Sequence, residues 1–423
     1  MEEFLGFDDV VIVPGRSPVE PSSVDITGQA TRNIVLSIPV ISSPMDTVTE
    51  WRMAALIARL GGLGVIHRNM SIESQIDNIV RVKNSVPSIW SEIIKIGVDE
   101  RFDIVELRMR EAGVDAGIVM SKQGFHGIFI RYGADYEYWA NKVDSLVKLA
   151  SLIKPMPTID EDGRLRVGAA ISPFDIERAK RLSKAGVDVL VVDVAHLHNV
   201  NVLSSLRKLV REVEAEVVAG NLGTREGVLD TLATVEDIAG LRMGIASGSI
   251  CITGEVSGTA VPTLTAVMKA REALQEIGLQ GKIPIIADGG IRNPGDAAKA
   301  IIAGASSVMV GRVLAGAEEA PTPKVTIGDR VYKPYRGMAS RGAMERRYAS
   351  DRYSKPSKAV VEGVEGLVPY SGSAVNSIAH MAFGLQAALG YAGAANLREA
   401  WNSKLARITP SGSKEIKPHD LVI

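Results

Sequence analysis

The feature that most constrains this chain is a series of short, almost wholly apolar, β-branched runs, each separated from the next by a helical stretch. From about residue 165 onward they read VDVLVVDV at 187–194, AEVVAG at 215–220, KIPIIADGG at 282–290 and SSVMVG at 306–311. Runs apolar on both faces fit buried strands, and their alternation with helices predicts parallel strands joined by crossovers. Each run ends in Gly, Asp or Asn, where the loops of a catalytic face would begin. The N-terminal segment repeats the pattern with IPVISSPMD at 38–46, a helix across 50–60 and GLGVIHRN at 62–69. The expected fold class is therefore α/β, a (β/α)8 barrel with its sequence on both sides of a break.

The break runs from 87 to 162. NSVPSIW at 84–90 and IKPMPTIDEDGR at 153–164 bracket a segment containing DIVELRMREAGVDAGIVMSKQGFHGIFIRYG, which reads as a small inserted α/β module. Charged turns at its borders suit insertion into an exposed barrel loop. The expected organisation is a barrel N-terminal part at 1–86, the insert at 87–162 and a barrel C-terminal part at 163–423. That division accommodates the 423 residues, since a barrel takes roughly 250 and leaves room for about one further module.

Charge and composition exclude several classes. A formal net charge of −1 gives no whole-chain attraction to nucleic acid or to an anionic membrane, so small molecules are the expected partners. The longest apolar stretches, 53–66 and 378–395, are interrupted by Arg59 and by His380 with Gln386, and read as buried helices instead of membrane spans. MEEFLGFDDV opens with acids and has no basic region ahead of an apolar run, which points to the cytoplasm. A single cysteine, Cys251, excludes an intrachain disulfide and any multi-cysteine metal site; it is there for packing or for chemistry.

Its surroundings favour chemistry. In MGIASGSICIT at 243–253 a strand should end in a loop built from Gly244, Ala246, Ser247, Gly248 and Ser249, and small residues there let a ligand approach the backbone. Amides and the Ser249 hydroxyl can donate to a phosphate, and the same donors favour a thiolate at Cys251. Thr253, two residues on, can orient a water or pass a proton. ADGGI at 287–291 and MVGR at 309–312 place Gly290 and Gly311 just after late strands, where barrels often hold phosphate, and the Asp288 carboxylate suits a ribose diol. YRGM at 335–338 adds a tyrosine hydroxyl and close-approach backbone. RGAMERRYASDRYSKPSK at 341–358 carries six Arg or Lys against two acids and reads as a positively charged flap within about 335–372. His196 and His198 alternate at a strand end, a spacing more often structural than metal-binding.

Together GSICIT, IADGGI, YRGM, FDDVVIVPGRS, SSPMDTVTE and GGLGVIHRNMS resemble the inosine monophosphate dehydrogenase and guanosine monophosphate reductase superfamily, in family order over about 1–85 and 165–423. The resemblance implies a (β/α)8 barrel with Cys251 as nucleophile toward a purine nucleotide. It implies a phosphate held by Ser249, Gly290, Gly311 with its neighbour Arg312, and Tyr335. Asp288 would meet the ribose, with Ser43, Met45, Gly337 and Met338 lining the pocket. In the dehydrogenase branch the thiolate attacks C2 of hypoxanthine, hydride passes to NAD, and water releases a covalent thioimidate. DRY at 351–353, followed by VEGVEGLVPYSG at 361–372, resembles the flap that activates this water, with Arg352 and Tyr353 as its pair and Thr253 with Glu362 as a second proton route.

On the cofactor side the resemblance implies Asp193 near the nicotinamide ribose, Asn221 in the GN turn and Gly244 against the carboxamide. Leu197 stands where the family turn has a small residue. A monovalent cation, usually potassium, is implied on carbonyls of Ala246, Gly248 and Cys251, completed by a neighbouring subunit's C-terminus like KEIKPHDLVI, hence a homotetramer. Ala246 replaces a family glycine, so the cation site needs either a negative φ there or an adjusted loop. Most dehydrogenases carry a pair of cystathionine-β-synthase-type modules at the insert; here 98–131 resembles one half, and 132–162 has no recognisable second copy. Three readings stay open beside the dehydrogenase: an NADPH-dependent guanosine monophosphate reductase, a non-catalytic purine-nucleotide-binding regulator and a flavin-dependent barrel oxidoreductase.

Overall fold

The structure is a computed structural model that describes residues 2–87, 93–111, 116–122, 124–132, 135–140, 153, 155–345 and 361–417. Eight parallel strands close into a barrel: β1 (Val40–Ser42), β2 (Leu63–Ile66), β3 (Gly168–Ile171), β4 (Val189–Val192), β5 (Glu216–Leu222), β6 (Ile238–Met243), β7 (Ile285–Asp288) and β8 (Ser307–Val310). Closure runs through β2 and β3, where Val65 pairs with Gly168, so the chain leaves the barrel after its second strand and re-enters at its third. This is the expected (β/α)8 barrel.

Two apolar layers follow from strands buried on both faces. Ile41, Leu63, Val65, Ala170, Val189, Val191, Val218, Ile286 and Met309 fill the lumen, together with Ala30, Ile34 and Leu36. The last three belong to a hairpin, Gly28–Gln29 with Val35–Leu36, whose Arg32 amide donates to the Ala239 carbonyl near the start of β6. The hairpin thus plugs the N-terminal end of the barrel, and the opposite end is left to the ligand loops. The second layer lies between strands and helices. Its α1 (Trp51–Arg59) is buried on most positions, and α2 (Ile72–Lys83) starts at a Ser71 cap that accepts the Ser74 amide.

Among the described residues no helix is long and apolar enough to cross a membrane. The apolar stretch at 378–395 lies largely in the helix Ala374–Tyr391, packed against the barrel through Ile378, Met381, Leu385 and Leu389. Among the described residues two further sheets have more than two strands. One joins Val325–Ile327, Arg330–Arg336 and Glu365–Pro369 in antiparallel order, so that both ends of the flap segment share a ladder. The other comprises four strands between Ile93 and Ala140, the first two parallel around the helix Phe102–Glu111 and the rest antiparallel.

Candidate active site

Every barrel strand delivers its last residues to one rim. Ser43 follows β1, Asp193 follows β4, Asn221 is the penultimate residue of β5, Gly244 follows β6, Asp288 ends β7 and Gly311 follows β8. Two contiguous chambers open there. One of about 170 Å³ is lined by Cys251, Thr253, Glu362, Asp193, Asn221, Gly244, Ala246, Gly337 and Met338. The other, about 360 Å³, is lined by Ser249, Gly290, Gly311 and Arg312. Ser43, Met45, Gly248, Asp288 and Tyr335 line both, so the thiol and the glycine turns face one continuous space.

The thiol chamber contains a hydrogen-bonded relay. Cys251 Sγ donates to Thr253 Oγ1 at 3.2 Å, and Thr253 Oγ1 donates to Glu362 Oε2 at 2.9 Å. The backbone holds this register. Ile252 donates to the Glu362 carbonyl at 3.1 Å and Val364 to the Ile250 carbonyl at 3.0 Å, clipping the strand after the flap onto the cysteine loop. A half-buried thiol with a hydroxyl and a carboxylate in line can lose its proton to the acid through the threonine.

The second chamber is shaped for close approach to a ligand's oxygens. Gly289 and Gly290 hold φ of +94° and +73°, which turns the chain sharply after Asp288. A Cβ on Gly311 would lie 3.1 Å from Met45 Sδ and 3.2 Å from Tyr335 Oη. Tyr335 Oη is 3.4 Å from Ser249 Oγ, and burial raises its pKa, so the phenol stays a donor across the ordinary pH range.

The cofactor-side expectations are placed on the same rim with more specific partners than sequence indicates. Asn221 Nδ2 donates to the Gly244 carbonyl and to Asp288 Oδ2, both at 2.9 Å, so its amide ties the cysteine loop to β7. Asp193 is buried between Arg68 and Arg242. Gly244 has φ of +127°, and a Cβ there would meet the Asp288 carbonyl at 2.3 Å. Leu197 is fully buried and donates its amide to the Asn221 carbonyl at 3.0 Å, so the bulkier residue serves as a core anchor. His198 Nε2 is 2.8 Å from Asp230 Oδ2, and the His196 ring lies edge-on to it.

The cation loop departs from one expectation. Ala246 does not keep a negative φ but sits at +58°, in the left-handed conformation a glycine would hold. Surrounding pairings over-determine it, since Ile245 exchanges hydrogen bonds with Val261 on both sides. Arg352 and Tyr353 lie outside the described residues, as do 418–423 of the C-terminal segment.

Several site residues escaped sequence reading. Asp46 accepts from Arg336 of the YRGM segment at 2.6 Å and from Asn69 at 2.8 Å, and Asn69 also donates to the Ala343 carbonyl. Burial pushes the Asp46 pKa up, but these donors outweigh it and hold the carboxyl below its usual range. Arg242, on β6, reaches both Asp193 and Asp288. The one available signal was an arginine inside the otherwise apolar run IAGLRM.

Fold and rim together define a (β/α)8 barrel whose strand-end loops join a cysteine relay to a glycine-lined pocket. Residues 4–419 match the family model for the IMP dehydrogenase / GMP reductase domain. The chain is 43% identical to inosine-5'-monophosphate dehydrogenase of Korarchaeum cryptofilum, over 98% of this chain and 96% of that protein. It is 40% identical to the enzyme of that name from Cryptosporidium parvum, covering 99% and 96%. A solved structure of a GMP reductase variant from Trypanosoma brucei, in complex with guanosine 5'-monophosphate, superposes with a TM-score of 0.77 at 31% identity, covering 100% of this chain and 99% of that one. The chain belongs to the IMP dehydrogenase / GMP reductase family.

Proposed function

We propose that the chain is an NAD-dependent inosine 5'-monophosphate dehydrogenase that forms xanthosine 5'-monophosphate, serving guanine nucleotide synthesis. The observation that carries this reading is the continuous space joining the Cys251–Thr253–Glu362 relay to the Gly290 and Gly311 turns. A nucleoside monophosphate seated with its phosphate on Ser249, Gly290, Gly311, Arg312 and Tyr335 directs its base toward the thiol. Asp288, Ser43, Met45, Gly337 and Met338 would line the ribose and base. The dehydrogenase direction is favoured by the names of the curated relatives at the highest identities cited above.

In this reading the Cys251 thiolate adds to C2 of hypoxanthine, its proton having passed through Thr253 to Glu362. Asp193, Asn221 and Gly244 line the part of the chamber that would hold NAD, which when bound would supply the acceptor for the hydride on C2. Glu362 then gives the thiol proton up to solvent; water attacks the resulting thioimidate and passes a proton through Thr253 to the freed carboxylate, and that proton returns to sulfur as the C2–S bond breaks to release product and thiol. Arg352 and Tyr353 are the proposed flap pair that assists the water. Potassium is the proposed occupant of the cysteine loop, where carbonyls of Ala246, Gly248 and Cys251 would hold it and rigidify the loop that aims the thiol; Ala246 would present its carbonyl from a left-handed φ of +58° instead of a negative one. We further assign a cytoplasmic homotetramer, with a neighbour's C-terminal segment completing the cation site, and treat 87–162 as a module separate from the barrel.

The deciding assay incubates purified protein with IMP and NAD in one tube and GMP and NADPH in another. Growth of reduced cofactor in the first alone is expected. Cofactor oxidation in the second alone would make the chain a reductase, and turnover by Cys251→Ala would remove the covalent mechanism.

A further inference from the structure

In the wall of the thiol chamber runs a chain of charges, of which Arg68 and Arg242 have no part in the mechanism above. Arg68 donates through Nη2 to the Asp193 carbonyl at 3.1 Å, and its Nε lies 3.5 Å from Asp193 Oδ2. On the other side of that carboxylate, Arg242 Nη1 is 3.3 Å from Oδ1. The remaining edge of the same guanidinium reaches Asp288 Oδ2, from Nε at 3.0 Å and from Nη2 at 2.9 Å. Asn221 adds a third donor to that oxygen and continues to the Gly244 carbonyl at the head of the cysteine loop. The groups come from five loops or strands and alternate in sign, two cations against two carboxylates.

We propose that Arg242 is a positioning residue that couples the substrate and cofactor sites, because one rigid guanidinium fixes the carboxylate assigned to each. The proposal rests on the reading of Asp288 as the substrate-side acid and Asp193 as the cofactor-side acid. A guanidinium is planar, so its two edges cannot move independently: a shift of Asp288 toward a ribose rotates the plane and displaces Asp193. Three donors converging on Asp288 Oδ2 leave Oδ1 with no protein donor among the described residues, and this is the oxygen open to a substrate hydroxyl. The low dielectric of the interior strengthens each link, and the two acids hold the buried guanidinium charged against the opposing effect of its burial. A lysine, with one compact ammonium, cannot span both carboxylates.

Coupling is read from binding, with chemistry blocked by Cys251→Ala. In that background the dissociation constant for IMP is measured by calorimetry, without and with saturating NAD. The two values should differ by about five-fold or more, the usual size of coupling between sites. Adding Arg242→Lys should bring their ratio to one, while melting temperature reports that the fold persists. Asp193→Asn provides a crossed test: it should weaken IMP binding about ten-fold with no cofactor present, although Asp193 belongs to the other site. In the double variant with Arg242→Lys that loss should not add. A ratio of one in the Cys251→Ala protein, a ratio that survives Arg242→Lys, or an Asp193→Asn protein with unchanged IMP affinity each overturns the coupling. Should the Cys251→Ala protein bind no IMP at all, the substrate assignment falls first and the coupling with it.

Discussion

Thr253 shows how much of the candidate site hangs on single atoms. Its hydroxyl accepts from the Cys251 thiol and donates to Glu362, so it bridges nucleophile and acid. Glu362→Gln preserves the shape of the acid and removes its capacity to take the proton. Its kcat should fall by about 10²–10⁴-fold, as for loss of a general base, while IMP affinity measured by calorimetry stays close to that of the parent. An unchanged kcat would take Glu362 out of the relay. Ala246 poses a different single-residue question, since a Cβ in the left-handed region costs on the order of 1 kcal/mol. Ala246→Gly should raise the urea midpoint accordingly; a lower midpoint would mean that the methyl group packs usefully. Cys251, Thr253 and the glycine turns were legible because their spacing is local. Arg242 and Asn69 were not, because what they do depends on partners tens to hundreds of residues away.

Elements were legible where β-branched residues cluster and opaque where they do not. β4, β5, β7 and β8 announce themselves with Val and Ile, but β3 reads GAAI, small residues whose strand conformation comes from pairing with β2 and β4. The strand Arg330–Arg336 mixes charged, aromatic and apolar residues and holds a proline, so its ladders with Val325–Ile327 and Glu365–Pro369 are what reveal it. At the start of the barrel, α2 ends on Lys83, whose buried ammonium sits 3.0 Å from Asp160 and 2.7 Å from Asp188. Burial pushes Asp160 up, but the Arg164 amide and Lys83 outweigh it and bring the pKa down to about 2. A depressed carboxylate contributes stability that is complete above its unfolded pKa of about 4 and is lost as pH falls toward 2. Asp188 has the opposite sign, because burial outweighs its partners and raises it, so protonation there relieves the fold. Asp160→Asn should therefore flatten the acid limb of a urea-midpoint profile between about pH 4 and pH 2, by on the order of 1–2 kcal/mol. An equally steep limb in the variant would assign acid sensitivity elsewhere.

The whole molecule is a barrel interrupted at one point, and the geometry of that point bears on what the insert does. The outgoing neck is held by Arg59, whose Nε donates to the Val86 carbonyl at 2.7 Å. The returning neck is held one residue away, where the Thr158 amide donates to the Ala58 carbonyl at 2.8 Å, and again where Ser37 Oγ donates to the Met156 carbonyl. Adjacent residues of α1 thus grip both ends, so the barrel closes around the break without help from the segment between them. These grips lie beyond the start of β3, at the end plugged by the 28–36 hairpin, whereas Cys251 and the glycine turns occupy the opposite rim. Loop-closure cost grows slowly with length, and a shorter bridge between fixed ends lowers it. Replacing 88–152 by a short Gly/Ser linker should leave one cooperative melt and leave kcat and the KM for IMP close to those of the parent, because both grips lie at the end of the barrel opposite the thiol. A variant that melts cooperatively yet has lost turnover would show that the module completes the active site, and the division of the chain at 87 and 162 would then have to be redrawn.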